Sequence, residues 1–230
     1  MNWRGKTAPR IALFALAMAA LAVVALTVGG NEDTAVPESP LVCEDDAVSE
    51  ISPLFGDTLG TVALTSMDRR PVMLHDLAGE EFTTVIFCSY RCPCSDGYVD
   101  RLRELRQHFE PRGVRFVAIH SNSDETMDGM TRYIQREEYP LPVYRDDLTA
   151  AADMMQATVT PEVFVFDRDW TLQYHGRIDD DKSGFFVEEE SLRLALDTLL
   201  TGRSLQHPEK MSLGCAITRT QSIAGSTLRE

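Results

Sequence analysis

An α/β domain with a mixed central β-sheet flanked by helices is the fold this sequence predicts, and three observations carry the prediction. Short apolar runs that read as buried strands alternate with segments whose apolar residues recur at helical spacing. Near the end, two strand-like runs follow one another as a hairpin, which adds antiparallel pairing to an otherwise alternating order. A length of 230 residues with 43% apolar content suffices for one well-packed domain of ordinary size behind a targeting segment.

Residues 11–28 are apolar or small except for Thr27, with Arg4, Lys6 and Arg10 before them and Glu32 and Asp33 after. At about 1.5 Å per residue the run reaches roughly 27 Å, just enough to span a bilayer, and its basic flank places the N-terminus in the cytoplasm. Residues 1–30 are therefore expected to form an N-terminal membrane anchor helix, single-pass in the cell membrane, with the remaining chain on the extracytoplasmic (periplasmic) side. A signal peptide cleaved near Gly29 and Gly30 is the competing reading, and it leaves the body secreted or periplasmic. Residues 31–54, acidic and carrying Pro37 and Pro40, read as a tether.

The main domain is expected over 55–205. Residues 61–65 and 71–74 are strand-like and separated by Ser-Met-Asp-Arg-Arg, which suggests a hairpin, and a turn follows at 77–79. Val85, Ile86 and Phe87 read as a buried strand, and Pro93 is the residue best tolerated at the first position of a helix. Tyr98, Leu102, Leu105 and Phe109 continue that helix on one face until Gly113 stops it. Residues 114–119 form the next strand, ending at His120, and Met127, Met130 and Ile134 mark one face of a second helix. A strand at 141–144, a helix at 150–155 and a strand at 163–166 come next, and the last is joined through Asp-Arg-Asp-Trp to a strand at 171–174. Leu192, Ala195, Leu196 and Leu199 define the last helix, closed by Gly202. Residues 206–230 remain as a C-terminal extension carrying Cys215.

Acidic residues outnumber basic ones 36 to 22, for a net charge of −14. Residues 1–30 hold three basic residues and no acid, so the body is more acidic still. Such a surface repels nucleic acid and anionic headgroups, and no nucleic-acid partner is implied.

Of the five cysteines, three fall within residues 84–98, which read Thr-Val-Ile-Phe-Cys-Ser-Tyr-Arg-Cys-Pro-Cys-Ser-Asp-Gly-Tyr. Cys92 sits at the expected helix start, where unpaired backbone N–H groups and the helix dipole favour thiolate over thiol. Cys43, in the tether, reads as unreactive. An exported compartment permits disulfides, and an odd count leaves one thiol without an intrachain partner in any fully paired state.

Cys92-Pro93 is followed in order by Ala-Ile-His-Ser-Asn-Ser-Asp (118–124), Thr-Pro-Glu-Val-Phe-Val-Phe-Asp (160–167), Tyr-His-Gly-Arg-Ile-Asp-Asp (174–180) and Gly-Cys-Ala-Ile (214–217). Together these resemble the thioredoxin-like superfamily in its redoxin or peroxiredoxin-like (AhpC/TSA-related) branch, over about residues 55–218. The resemblance implies a thioredoxin-like fold in which Pro161 is cis and faces Cys92, with the Thr160 backbone available to pair with a bound thiol or peptide.

Departures from the family decide which chemistry carries over. Ser95 stands where thioredoxins place the second cysteine of Cys-x-x-Cys, so the resolving sulfur must lie elsewhere. Cys88 comes first in the order of expected partners for Cys92, then Cys94, whose bridge would close a tight ring, then Cys215. Val85 and Ser89 replace the proline and threonine that peroxiredoxins place before their reactive cysteine, which weakens the case for a peroxidase. Arg91 is expected to favour the Cys92 thiolate. Cys88-Ser-Tyr-Arg-Cys92-Pro93 also resembles the copper site of Sco-like metallochaperones, which implies Cu(I) on Cys88 and Cys92 with a third ligand. Met154 and Met155 are expected to pack in the core rather than bind metal. His75, His108, His175 and His207 are expected at the surface or behind the site, and His120 nearer to it.

The sequence therefore predicts a membrane-tethered, extracytoplasmic thiol–disulfide oxidoreductase that needs no cofactor. Cys92 is its nucleophile, Cys88 or Cys94 its resolving sulfur, and Pro161, Thr160 and Arg91 complete the site. Substrates would be protein thiols or disulfides, and reductant would come from an exported or membrane-bound thiol carrier. The alternatives are a thiol-dependent peroxidase acting on peroxide and a Cu(I)-binding assembly factor.

Overall fold

Side-chain alternation along three adjacent strands builds a core on each face of one sheet. A computed structural model of the chain describes residues 47–48 and 55–219, all within one compact unit, Pro40–Glu230. The expected anchor at 11–28, nearly all of the tether including Cys43, and residues 220–230 lie outside the described residues. Among the described residues no helix is long and apolar enough to cross a membrane.

A two-residue strand, β1 (Ala47–Val48), comes first. The expected hairpin follows as β2 (Ala63–Ser66) and β3 (Pro71–Met73), paired antiparallel. β4 (Phe82–Phe87) is the apolar run before the cysteines. The helix expected from Pro93 comes in two pieces, α1 (Pro93–Asp96) and α2 (Val99–Phe109). Gly113, at φ +87°, ends the short 3-10 turn behind α2 in a left-handed conformation that a side chain disfavours. β5 (Val114–His120), α3 (Met127–Arg136), β6 (Val143–Arg145) and α4 (Ala150–Met155) continue the alternation. β7 (Val159–Thr160), β8 (Glu162–Phe166), β9 (Leu172–Gly176), α5 (Ser191–Leu199) and β10 (Leu213–Ala216) complete it.

The main sheet has seven strands in the order β3-β2-β6-β5-β4-β8-β9. β4, β5 and β6 run parallel, and the remaining pairings are antiparallel, so the sheet is mixed. Ile86 and Cys88, Phe116 and Ala118, and Val163 and Val165 point to one face, where Leu102 of α2, Tyr133 of α3 and Leu192 of α5 pack on them. Val85, Phe87, Val117, Ile119, Phe164 and Phe166 point to the other, against Ala151, Ala152 and Met155 of α4. Each phenylalanine so enclosed contributes about 1.5–3 kcal/mol relative to exposure. Met155 is wholly buried in this core and Met154 packs against it, so both serve packing.

A second, three-stranded sheet has the order β1-β10-β7. Nothing in the local sequence pattern announces it. β10 lies antiparallel to β7, with Cys215 opposite Thr160 and Ala216 opposite Val159. This pairing folds the C-terminal extension back over the cysteine turn.

Candidate active site

Residues 88–92 leave the end of β4 and turn into α1, with Pro93 at the first helical turn and Cys92 as the extended residue that precedes it. The Cys92 side chain is enclosed, at 1% exposure. Facing it is the loop after β7, where the Thr160–Pro161 peptide bond is cis. The Thr160 carbonyl oxygen lies 3.1 Å from Cys92 Sγ. Cys215 Sγ, carried in by β10, lies 2.6 Å from the same sulfur. None of Cys88, Cys92 and Cys215 is disulfide-bonded.

The Cys92 thiol is lowered from its ordinary value to about 5. Its hydrogen bond with Cys215 is the largest cause; burial opposes it, and bonds from the Thr160 side chain and the backbone N–H groups of Ser95 and Cys215 add to it. At neutral pH Cys92 is therefore a thiolate, the form that attacks disulfides.

The structure places the expected partners of Cys92 differently from the sequence reading. Cys94 is disulfide-bonded, and with none of Cys88, Cys92 or Cys215. Cys88 keeps the parity of Ile86, two residues before it, so its side chain enters the core beneath α2, with Sγ 3.8 Å from the Ile119 carbonyl oxygen. The sulfurs of Cys92, Cys94 and Cys215 lie within 4.8 Å of one another, and Cys88 does not join them. Cys215, third in the expected order, is the thiol that meets Cys92. The two sulfurs proposed for Cu(I), Cys88 and Cys92, thus face different neighbours, which is a poor arrangement for a two-thiolate ion.

Arg91 also departs from expectation. Its guanidinium turns outward to the Asp124 carboxylate at 2.7 Å, and it is not among the groups that lower Cys92. Ser95 takes the Ser89 N–H on its hydroxyl at 3.4 Å, so the residue in the place of a resolving cysteine braces the turn instead.

The sequence profile of the Redoxin family matches residues 54–193, more than half of the chain. The chain belongs to the Redoxin family. As a redoxin it is a thioredoxin-like thiol redox protein, with thiol–disulfide oxidoreductase or peroxiredoxin-like activity. Among solved structures it is similar to an uncharacterized conserved protein from Geobacillus kaustophilus, at 33% identity and TM-score 0.70, over 76% of this chain and 97% of that one. A hypothetical protein from Sinorhizobium meliloti 1021 follows at 26% identity and TM-score 0.67, over 76% and 98%. The peroxidoxin BcpB from Mycobacterium tuberculosis shares the fold at 19% identity and TM-score 0.52, over 65% and 98%. No curated protein matches the chain.

Two buried carboxylates organise this redoxin's site, and the sequence reading missed both. Glu125 lies behind the cysteine turn, accepting hydrogen bonds from the Ser89 hydroxyl and, at 3.4 Å, the Arg91 N–H. Its other oxygen is 2.8 Å from His120 Nδ1, and both side chains are fully enclosed. Burial alone would push His120 down, but the Cys88 sulfur and then Glu125 more than offset this and lift it to about 10. Glu162, directly after Pro161, accepts from the N–H groups of Thr158 at 2.7 Å and Val159 at 3.1 Å, which fixes the loop opposite Cys92. Its second oxygen is 2.6 Å from His175 Nε2. His175 is buried behind the site, the second of the two places expected for it, and although burial opposes its charge, Glu162 and Glu209 hold it above its ordinary value. The signal available in the sequence was position: Glu125 directly follows the 118–124 string that holds His120, and Glu162 directly follows Pro161.

Beside the site, a cavity of about 400 Å³ is lined by Cys94, Tyr98, Pro161, Ile178, Met211 and Leu213, among others. Asp179, in its lining, forms an ion pair with Arg101, and Asp180 accepts the N–H groups of Glu188 and Glu189, so this acidic string shapes a turn.

Proposed function

We propose that this redoxin is a thiol–disulfide oxidoreductase whose redox pair is Cys92 and Cys215. The observation that carries the reading is the 2.6 Å approach of the two sulfurs beside the cis-proline loop, with Cys92 lowered to about 5. A thiolate held against a second thiol needs little movement to form or open a disulfide, because exchange proceeds by attack of one sulfur on another. The reaction needs no cofactor. Peroxide chemistry has less support, since the Ser89 hydroxyl that would polarise a peroxide is bonded to Glu125 instead.

In the cell we place the domain outside the cytoplasm, tethered through residues 11–28, with protein thiols or disulfides as substrates and an exported or membrane-bound thiol carrier as electron donor. The acidic body and the basic N-terminal flank support this orientation. The test is disulfide exchange with a model protein disulfide, comparing wild type with Cys92→Ser and Cys215→Ser. Loss of turnover in both is expected, and unchanged turnover in Cys92→Ser would remove the reading.

A further inference from the structure

The two cysteines of the pair differ in burial. Cys92 is 1% exposed, whereas Cys215 is half-buried on a strand that covers it. That strand is firmly docked. Beyond the β7 pairing, the Ile217 N–H donates to the Thr158 carbonyl at 2.8 Å and the Thr218 N–H to the Asn122 side chain at 2.8 Å. The Arg219 guanidinium reaches Asp153 at 2.7 Å and the Ala157 carbonyl at 2.6 Å. Gly214 permits the close approach: a Cβ there would run into the Thr160 carbonyl oxygen, with the carbonyl carbon only 2.7 Å away. β10 therefore occupies the edge of β7 beside Cys92, and an outside disulfide meets β10 first.

We propose that Cys215, not Cys92, is the sulfur that exchanges with the outside partner, a protein dithiol or disulfide, while Cys92 acts from beneath it. This rests on the thiol–disulfide exchange reading above. In the oxidised protein, a thiolate of the partner attacks Cys215 Sγ, the Cys92–Cys215 bond breaks, and Cys92 leaves as thiolate. The partner's second thiolate then attacks its own first sulfur, the mixed disulfide breaks, and Cys215 leaves and takes a proton. One dithiol is oxidised and one disulfide reduced, with no further reactant; the opposite flow retraces the same steps. Attack at Cys215 is favoured twice over. It belongs to the less buried residue of the two, and such attack expels Cys92, whose low value of about 5 makes it the better leaving group.

The test uses the full chain and an aromatic disulfide, 5,5′-dithiobis(2-nitrobenzoate), with the released thiolate timed and each adduct assigned by peptide mass mapping. Reduced Cys92→Ser is expected to form its adduct on Cys215 at least about tenfold faster than reduced Cys215→Ser forms one on Cys92, despite the lower value of Cys92. Faster labelling of Cys92 in Cys215→Ser would overturn the proposal. Adding Gly214→Ala to Cys215→Ser is expected to raise the Cys92 rate by about tenfold as the strand lifts, and an unchanged rate would also overturn it. Wild type treated with the same probe should end with a Cys92–Cys215 disulfide. Its failure to do so would sink the exchange reading itself, an outcome distinct from either rate.

Discussion

Replacing Glu125 with alanine should destabilise the domain far more than a typical acidic residue would. The carboxylate is fully enclosed and pairs with His120 Nδ1, and the Cys88 sulfur is the other group that favours the imidazolium. Removal of the carboxylate takes away one of the two groups that offset burial of the imidazolium, leaving the Cys88 sulfur, and also releases the Ser89 hydroxyl and the Arg91 N–H. Breaking one side of a buried pair costs about 3–5 kcal/mol, a fifth or more of a stability of about 5–15 kcal/mol. With a urea slope of about 2 kcal/mol per molar, the midpoint should fall by roughly 2 M at unchanged slope. Glu125→Gln keeps the shape and part of the bonding, so a smaller loss of about 1–2 kcal/mol is expected. The decisive measurement is the double variant Glu125→Ala/His120→Leu. If the under-compensated charge is the cause, removing both partners recovers at least about 1.5 kcal/mol relative to the sum of the single changes. Strict additivity would refute the buried ion pair as the organiser of the cysteine turn.

Titration of the Cys92 thiolate by its ultraviolet absorbance should give a midpoint near 5, and Cys215→Ala should raise it by about 1–2 units, the worth of one charge-assisted hydrogen bond. Stability of the reduced protein should carry two opposed pH dependences. Cys92, lowered on folding, contributes above the ordinary thiol value near 9.0 and loses that contribution as pH falls through about 5. His120, raised on folding, contributes fully below 6.5 and loses its contribution as pH rises through about 10; urea titrations of Cys92→Ser across this range isolate it, and a flat profile would contradict the assignment. Glu162→Ala should cost about 2–3 kcal/mol by removing one of the two carboxylates paired with His175 and the acceptor of the Thr158 and Val159 N–H groups, and should also lower kcat for disulfide exchange, whereas a loss of stability with unchanged kcat would leave Glu162 a purely structural residue.

Much of the domain could be read from local pattern because its core strands obey a period of two and its helices bury one stripe. Val85, Ile86 and Phe87 read as a strand because nothing but a two-faced core accepts three consecutive apolar residues, and both faces are indeed covered. The sulfur that the fold brings to Cys92 is the one ranked third from the sequence, for an instructive reason. Nearness along the chain favoured Cys88, but the same alternation that identified the strand sends Cys88 into the core with Ile86. Cys215 is brought in by a pairing with Thr160 that spans 55 residues, and four residues of modest apolar character give no local sign of a strand. The one local hint was Gly214, the residue that lets two backbones touch. Glu125 and Glu162 were missed because acids are usually solvated, and only the folded arrangement shows that each is paired with a histidine and with backbone donors.

The way β10 is held divides it at one peptide unit. Leu213 and Gly214 pair with β1, while Cys215 and Ala216 pair with β7. Beyond them Ile217, Thr218 and Arg219 are docked as well, so Cys215 is held from both sides and any movement away from Thr160 is local rather than a release of the strand. A thiol so confined keeps an effective concentration on the order of millimolar or higher near its partner. Return to Cys92 is then intramolecular and fast, and a mixed disulfide formed at Cys215 has a short lifetime unless Cys92 is removed.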